Sequence, residues 1–210
     1  MTARRRTVAL LVTSLLAAPA STAAPTAAPS LAVSPATIEY GKGDVVLSGA
    51  IPSKRAGEIV AILSQPCRFT EPAEIGSTRT GAGGIFKYRV QPMLNTTFRA
   101  RSADAGSRTV RVGVRPVVEL RKVGAGRYRI QVATTNPVFL DGKRVVLERA
   151  QGKRWVPVKR GTLAKASPET AITVLSAVTV SAKVSGRLRA TLPASAGTCY
   201  LAAKSAPTSA

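Results

Sequence analysis

A two-residue alternation of apolar and polar side chains recurs along this chain and restricts it to one kind of secondary structure. In Phe86-Lys87-Tyr88-Arg89-Val90 the even-numbered residues are apolar and the odd-numbered ones largely polar. Phe98-Arg99-Ala100-Arg101, Val110 to Val114, Tyr128 to Val132, Val178 to Ala182 and Leu188 to Leu192 repeat the pattern. Successive side chains of a strand point to opposite faces, so this period describes strands with one face on a core. No segment after the N-terminal region carries a helical stripe. Ala164 to Ala171 comes nearest, and Pro168 interrupts it. Glycine-bearing turns separate the runs: Gly41-Lys42-Gly43, Gly81 to Gly84, Gly124-Ala125-Gly126 and Asp141-Gly142-Lys143. That spacing is expected of an all-β sandwich.

The alternation also repeats at the scale of modules. Arg55 to Leu63 resembles Leu140 to Leu147, a glycine turn running into a long apolar strand. Asn95 to Arg101 resembles Ser185 to Thr191. Two modules are expected, Leu31–Val114 and Arg115–Ser205, each near the ~100 residues of an immunoglobulin-like sandwich. Residues 206–210 are left as a tail. The join at Arg115-Pro116 is short and limits the angles between modules.

The N-terminus reads as an export signal. Arg4, Arg5 and Arg6 precede a short apolar run from Val8 to Ala18, and small residues follow at Ala18-Pro19-Ala20 and Thr22-Ala23-Ala24. The run is shorter than the ~20 apolar residues a spanning helix needs. Cleavage is expected after Ala20 or as late as Ala23, by either the general or the twin-arginine route. Ser21–Ser30, nearly all Ala, Pro, Ser and Thr, is expected to be a flexible spacer.

Thr80 with Gly83-Gly84-Ile85-Phe86, followed by Pro92 to Arg99, resembles tandem immunoglobulin-like modules of secreted actinobacterial proteins. Phe98 stands where those modules more often carry Tyr. The second module departs further: it lacks the Gly-x-Phe turn, and Pro168 to Thr173 reads as inserted. The resemblance implies two tandem antiparallel sandwiches and export. It implies no catalytic residue.

Charge narrows the partners. The chain has 31 Lys+Arg against 10 Asp+Glu and no His, a formal net charge of +21. Leu31–Val114 carries 11 basic and 6 acidic residues, Arg115–Ala210 carries 17 and 4. The second half is therefore the basic one, suited to acidic partners. Arg127, Arg129, Arg187 and Arg189 sit at outward strand positions and are the candidate contacts to anionic polymers. Arg144, Lys153, Arg154, Lys159 and Arg160 share the basic strands. The same residues also serve as a solvated face that blocks edge pairing. An acidic cell-envelope polymer or an anionic membrane surface is the expected partner. Nucleic acid is not, because stacking aromatics and a recognition helix are missing.

The remaining features point away from chemistry. Without His the commonest general base and metal ligand is gone. There is no Gly-x-Ser-x-Gly elbow, phosphate loop or metal-ligand spacing. Glu71 and Glu74 form no acid/base pair, and no cofactor is expected. Cys67 and Cys199 fall in different modules; in an exported chain they are expected to pair, the other reading being two buried thiols. Trp155 is read as a half-buried packing residue, with a sugar-stacking platform as the alternative. Asn95-Thr96-Thr97 matches a glycosylation sequence and is read as a turn. The leading function is a secreted, non-catalytic structural or binding module at the cell envelope. The alternatives are a small extracellular enzyme with a His-free site, or a secreted inhibitor presenting the loop Gln65 to Ile75.

Overall fold

The computed structural model describes residues 27–103, 105–164, 167–194 and 199–210. The expected leader, Met1–Ala20, and the spacer up to residue 26 lie outside the described residues.

In the first module β1 (Ala32–Ser34), β3 (Val45–Ala50) and β6 (Ile85–Val90) form an antiparallel sheet in the order β1-β3-β6. The facing sheet has the order β2-β9-β7-β4-β5. Its strands are β2 (Thr37–Glu39), β9 (Val110–Arg115), β7 (Thr96–Ser102), β4 (Ile59–Pro66) and β5 (Ala73–Arg79), with β8 (Ala105–Gly106) on β7. Among the described residues only the β2–β9 pair is parallel. Val45, Leu47, Val60, Ile62, Phe86, Phe98, Ala100 and Val112 fill the space between the sheets.

In the second module β10 (Val117–Gly124), β11 (Arg127–Thr135), β15 (Thr173–Ser181) and β14 (Ser167–Pro168) form one sheet in that order. The other runs β13 (Arg154–Thr162), β12 (Arg144–Gln151), β16 (Arg187–Leu192), β17 (Ala203–Lys204), with β18 (Thr208–Ser209) also on β16. In chain order the first, second, sixth and fifth strands of the module make one sheet and the third, fourth and seventh belong to the other, an immunoglobulin-like sandwich arrangement. Tyr128, Ile130, Val132, Leu147 and Leu188 are buried between the sheets.

The alternation maps onto the sheets as expected: in β11, Tyr128, Ile130 and Val132 are buried while Arg127 and Arg129 are exposed. The two resembling segment pairs occupy equivalent strands, β4 with β12 and β7 with β16. The turn motif has a mechanical basis. Thr80 Oγ1 donates to Arg55 O at 2.7 Å and accepts Glu58 N–H at 3.0 Å, which pins the preceding turn. Gly84 has φ +71 and lies against the Lys54 and Ile51 backbone, where a Cβ would collide; Phe86 then enters the core.

Two segments differ from the sequence reading. Ser30, the end of the expected spacer, is already folded: its N–H donates to Ala50 O at 2.9 Å. Residues 206–210 are not a tail, since β18 pairs with β16 and Ala210 N–H donates to Gly186 O. Pro168 to Thr173, the stretch read as inserted, forms the turn of the β14–β15 hairpin, closed by Glu169 N–H to Thr173 O. Two-residue strands are too short to show a period, so the sequence carries no sign of them.

Candidate functional site

The seam between modules is built from residues far apart in sequence. Cys67, in the loop after β4, is bonded to Cys199, with Cα atoms 5.4 Å apart. Around the disulfide the segment 199–201 is laid against the first module. Asn95 N–H donates to Cys199 O at 3.0 Å, and Leu201 N–H donates to Val114 O at 2.8 Å. Gly113 leaves room for Leu201, whose side chain occupies the place a Cβ would take. Cys199 and Tyr200 are thereby part of the first module's core, as is Val138 from the second. The expected boundary at Arg115 divides the strands but not the packing.

Two tyrosines complete the seam. Tyr200 OH accepts Thr135 N–H at 2.8 Å, and its ring meets Tyr40 edge-on with centroids 6.4 Å apart. Tyr40 OH donates to Ile172 O at 3.2 Å and lies 3.0 Å from Thr173 Oγ1. Burial pushes the Tyr200 phenol far above the ordinary tyrosine range, partly offset by the Thr135 hydrogen bond. Burial therefore favours the neutral phenol in the folded chain.

Asn95 links the end of β4, strand β9 and the segment 199–201. Its carbonyl accepts Cys67 N–H at 2.8 Å, its N–H reaches Cys199, and its side-chain Oδ1 accepts Val114 N–H at 2.8 Å. The sequence marks it only as a turn or glycosylation residue. Its partners are too distant in the chain for spacing to reveal them.

The four candidate arginines do not share a face. Arg127 and Arg129 project from β11, in the four-stranded sheet; Arg187 and Arg189 belong to β16, in the opposite sheet. Outward positions of opposed sheets point in opposite directions. Alternation distinguishes core from solvent but does not say which sheet a strand joins.

Arg189 also has internal partners. Its Nε donates to Glu148 Oε2 at 2.7 Å with both side chains largely covered, and its guanidinium lies 4.2 Å from the centre of the Trp155 ring. Thr191 Oγ1 donates to the same Glu148 oxygen at 2.9 Å. Trp155 is therefore half-buried on the sheet's outer surface, with one ring face taken by Arg189.

Around this cluster the five-stranded sheet gathers cations. Register places Arg160 opposite Val146, Lys204 opposite Thr191, and Arg187 opposite Ser209, while Arg144 lies two residues before Val146 on β12. Arg144, Arg160, Arg187 and Lys204 are exposed, and none forms an ion pair among the described residues. The four-stranded face is weaker. Arg121, directly opposite Arg129, is tied to Glu119 at 2.8 Å, and Glu169 lies in the adjoining turn.

The loop Gln65 to Ile75 is held from within: Gln65 Nε2 donates to Phe69 O at 3.1 Å and Thr70 O at 2.8 Å. Glu74 is paired with Arg101 at 3.2 Å. Among the described residues no group of three or more metal-ligating side chains converges, and no helix is long and apolar enough to cross a membrane.

No family model matches the chain, and no curated protein matches it. Among solved structures it is similar to red sea bream transglutaminase, at 13% identity over 83% of this chain, with a TM-score of 0.35. It spans 30% of that chain's length. It is also similar to bovine butyrophilin, at 10% identity over 88% of this chain and 99% of that one, with a TM-score of 0.33.

Proposed function

We propose that this is an exported, non-catalytic binding protein in which two welded immunoglobulin-like modules present a cationic sheet face to acidic polymers of the cell envelope. The observation that carries the reading is the set of four exposed cations, Arg144, Arg160, Arg187 and Lys204, without an ion pair among the described residues, on the face organised by Arg189, Glu148 and Trp155. A flat sheet holds such side chains at fixed spacing, so several phosphates or carboxylates of one polymer are engaged together. Exposed charges are screened beyond ~8 Å at physiological salt, so joint contact is what makes binding effective.

Export is supported by the Arg4 to Ala20 pattern, by the resemblance to secreted actinobacterial modules and by the disulfide, a bond favoured in oxidising compartments. The absence of His from the sequence favours binding over catalysis.

The test is retention of the purified protein on isolated envelope, before and after chemical removal of polymer phosphates and carboxylates. Retention that disappears with those groups supports the reading. Retention that is unchanged, or that passes to lipid vesicles lacking polymer, defeats it. Mass spectrometry of the exported protein should find a start near Ser21 or Ala24. An intact Met1 on protein kept in the cytoplasm would contradict export.

A further inference from the structure

A cavity of about 460 Å³ opens between the two sheets of the first module, at the end facing the seam. Tyr88 and Val90 of β6 form one wall, Ile75 and Phe98 of the opposing sheet another, and Pro137 of the second module closes the rim. The volume lies within the ~300–1,000 Å³ of small-ligand clefts, which favour interfaces between domains.

None of the fifteen lining residues is charged. Several polar groups on the walls are engaged by the main chain. Tyr88 OH donates to Ile75 O at 3.2 Å, Thr96 Oγ1 to Leu94 O at 2.7 Å, and Thr135 Oγ1 to Ile172 O at 3.2 Å. The walls therefore offer mainly apolar surface, and the lip does too: Phe69 is 63% and Ile75 43% exposed. Covering such groups is favourable.

A cation, Arg68, stands beside the rim, next in sequence to the lining residue Phe69. Arg68 adopts φ +80 between the disulfide-bonded Cys67 and Phe69, in the loop clamped by Gln65. Its Nη1 lies 3.5 Å from the carbonyl of Pro137, which lines the cavity. No carboxylate pairs with Arg68 among the described residues.

The geometry points to a binding site for a single-chain amphiphile with an anionic head: the alkyl chain lies in the cavity and the head meets Arg68. An uncharged, apolar interior excludes a charged body, and the exposed guanidinium selects an anionic over a cationic head. Carboxylate and phosphate heads satisfy this chemistry equally. The inference is independent of the cationic face of the second module, which carries no part of this cavity.

The test uses the full chain with its disulfide intact, at physiological salt and without polymer, and follows displacement of 1-anilinonaphthalene-8-sulfonate. Octanoate, decanoate and dodecanoate should bind one to one. Affinity should rise about fourfold for each methylene buried. Dodecanol and dodecyltrimethylammonium should bind several-fold more weakly than dodecanoate. Arg68→Gln should remove the advantage of the anionic head and leave dodecanol unchanged, whereas Glu71→Gln should not weaken the anion. Dodecyl phosphate against dodecanoate identifies which head is preferred, and saturable binding of either supports the site. Phe69→Asp on the exposed loop and Ile75→Asp on the strand edge should each weaken binding at least tenfold. Affinity that does not depend on chain length, or equal binding by the folded Phe69→Asp protein, would overturn the assignment.

Discussion

Val114 N–H donates its hydrogen bond to Asn95 Oδ1, 19 residues earlier in the chain. Removing that acceptor leaves a covered donor without a partner, which costs about 1–3 kcal/mol. Asn95→Ala should lower unfolding free energy by that amount in a denaturant titration. Asn95→Asp, which keeps an acceptor at the same place, should lose less. Tyr200 gives the seam a pH dependence of definite sign. Its phenol is held protonated in the folded chain, while the unfolded chain releases the proton near the ordinary value of about 10. Below that pH the residue adds no slope. As pH rises above it, the unfolded state binds fewer protons than the folded one, and stability falls. Tyr200→Phe should flatten this part of the alkaline unfolding curve while lowering stability at neutral pH through the unpaired Thr135 N–H. Equal alkaline slopes for the two proteins would exclude the assignment.

The roles of single residues at the seam were hidden in the sequence for a common reason. Asn95, Tyr40 and Tyr200 act on partners from elsewhere in the chain, and no local spacing encodes such meetings. Arg189 was legible as an outward strand residue, but its bond to Glu148, 41 residues away, was not.

At the scale of elements, strands were easier to read than their pairing. Tyr128-Arg129-Ile130 and Leu188-Arg189-Ala190 announce one buried face each. Neither says that the strands face one another across a core. Hence the arginines of β11 and β16, apparently alike in sequence, lie on opposite surfaces. The disulfide was legible because the sequence holds only two cysteines and its N-terminal pattern led to the expectation of export. Its loop spans 132 residues, for which chain entropy gives at most about 5 kcal/mol. Cys199→Ser should therefore lower unfolding free energy by about 2–5 kcal/mol. Limited proteolysis should then cut first near Cys199, where the segment 199–201 loses its covalent hold. A variant as stable and as resistant as the parent would show that the bond clamps nothing.

At the scale of the whole molecule, the first module's core is completed by residues near the end of the chain. Cys199, Tyr200 and Val138 pack with Val112, Val114 and Leu94, so the two modules form one body. Such a body fixes the direction of the cationic face relative to the cavity at the seam. A basic second half was visible from composition; that Arg144, Arg160, Arg187 and Lys204 share the outer face of the five-stranded sheet needed the register of β12, β13, β16 and β17.

The most direct measurement is titration of the full chain with polyphosphate over a series of salt concentrations. The parent is compared with a protein carrying Gln at Arg144, Arg160, Arg187 and Lys204, and with one carrying Gln at Arg127 and Arg129. Parent affinity should fall steeply with salt; the four-site variant should lose most of both the affinity and its salt dependence, and the two-site variant little of either. Equal losses in both variants, or a four-site variant that binds like the parent, would contradict the assignment of binding to the five-stranded face.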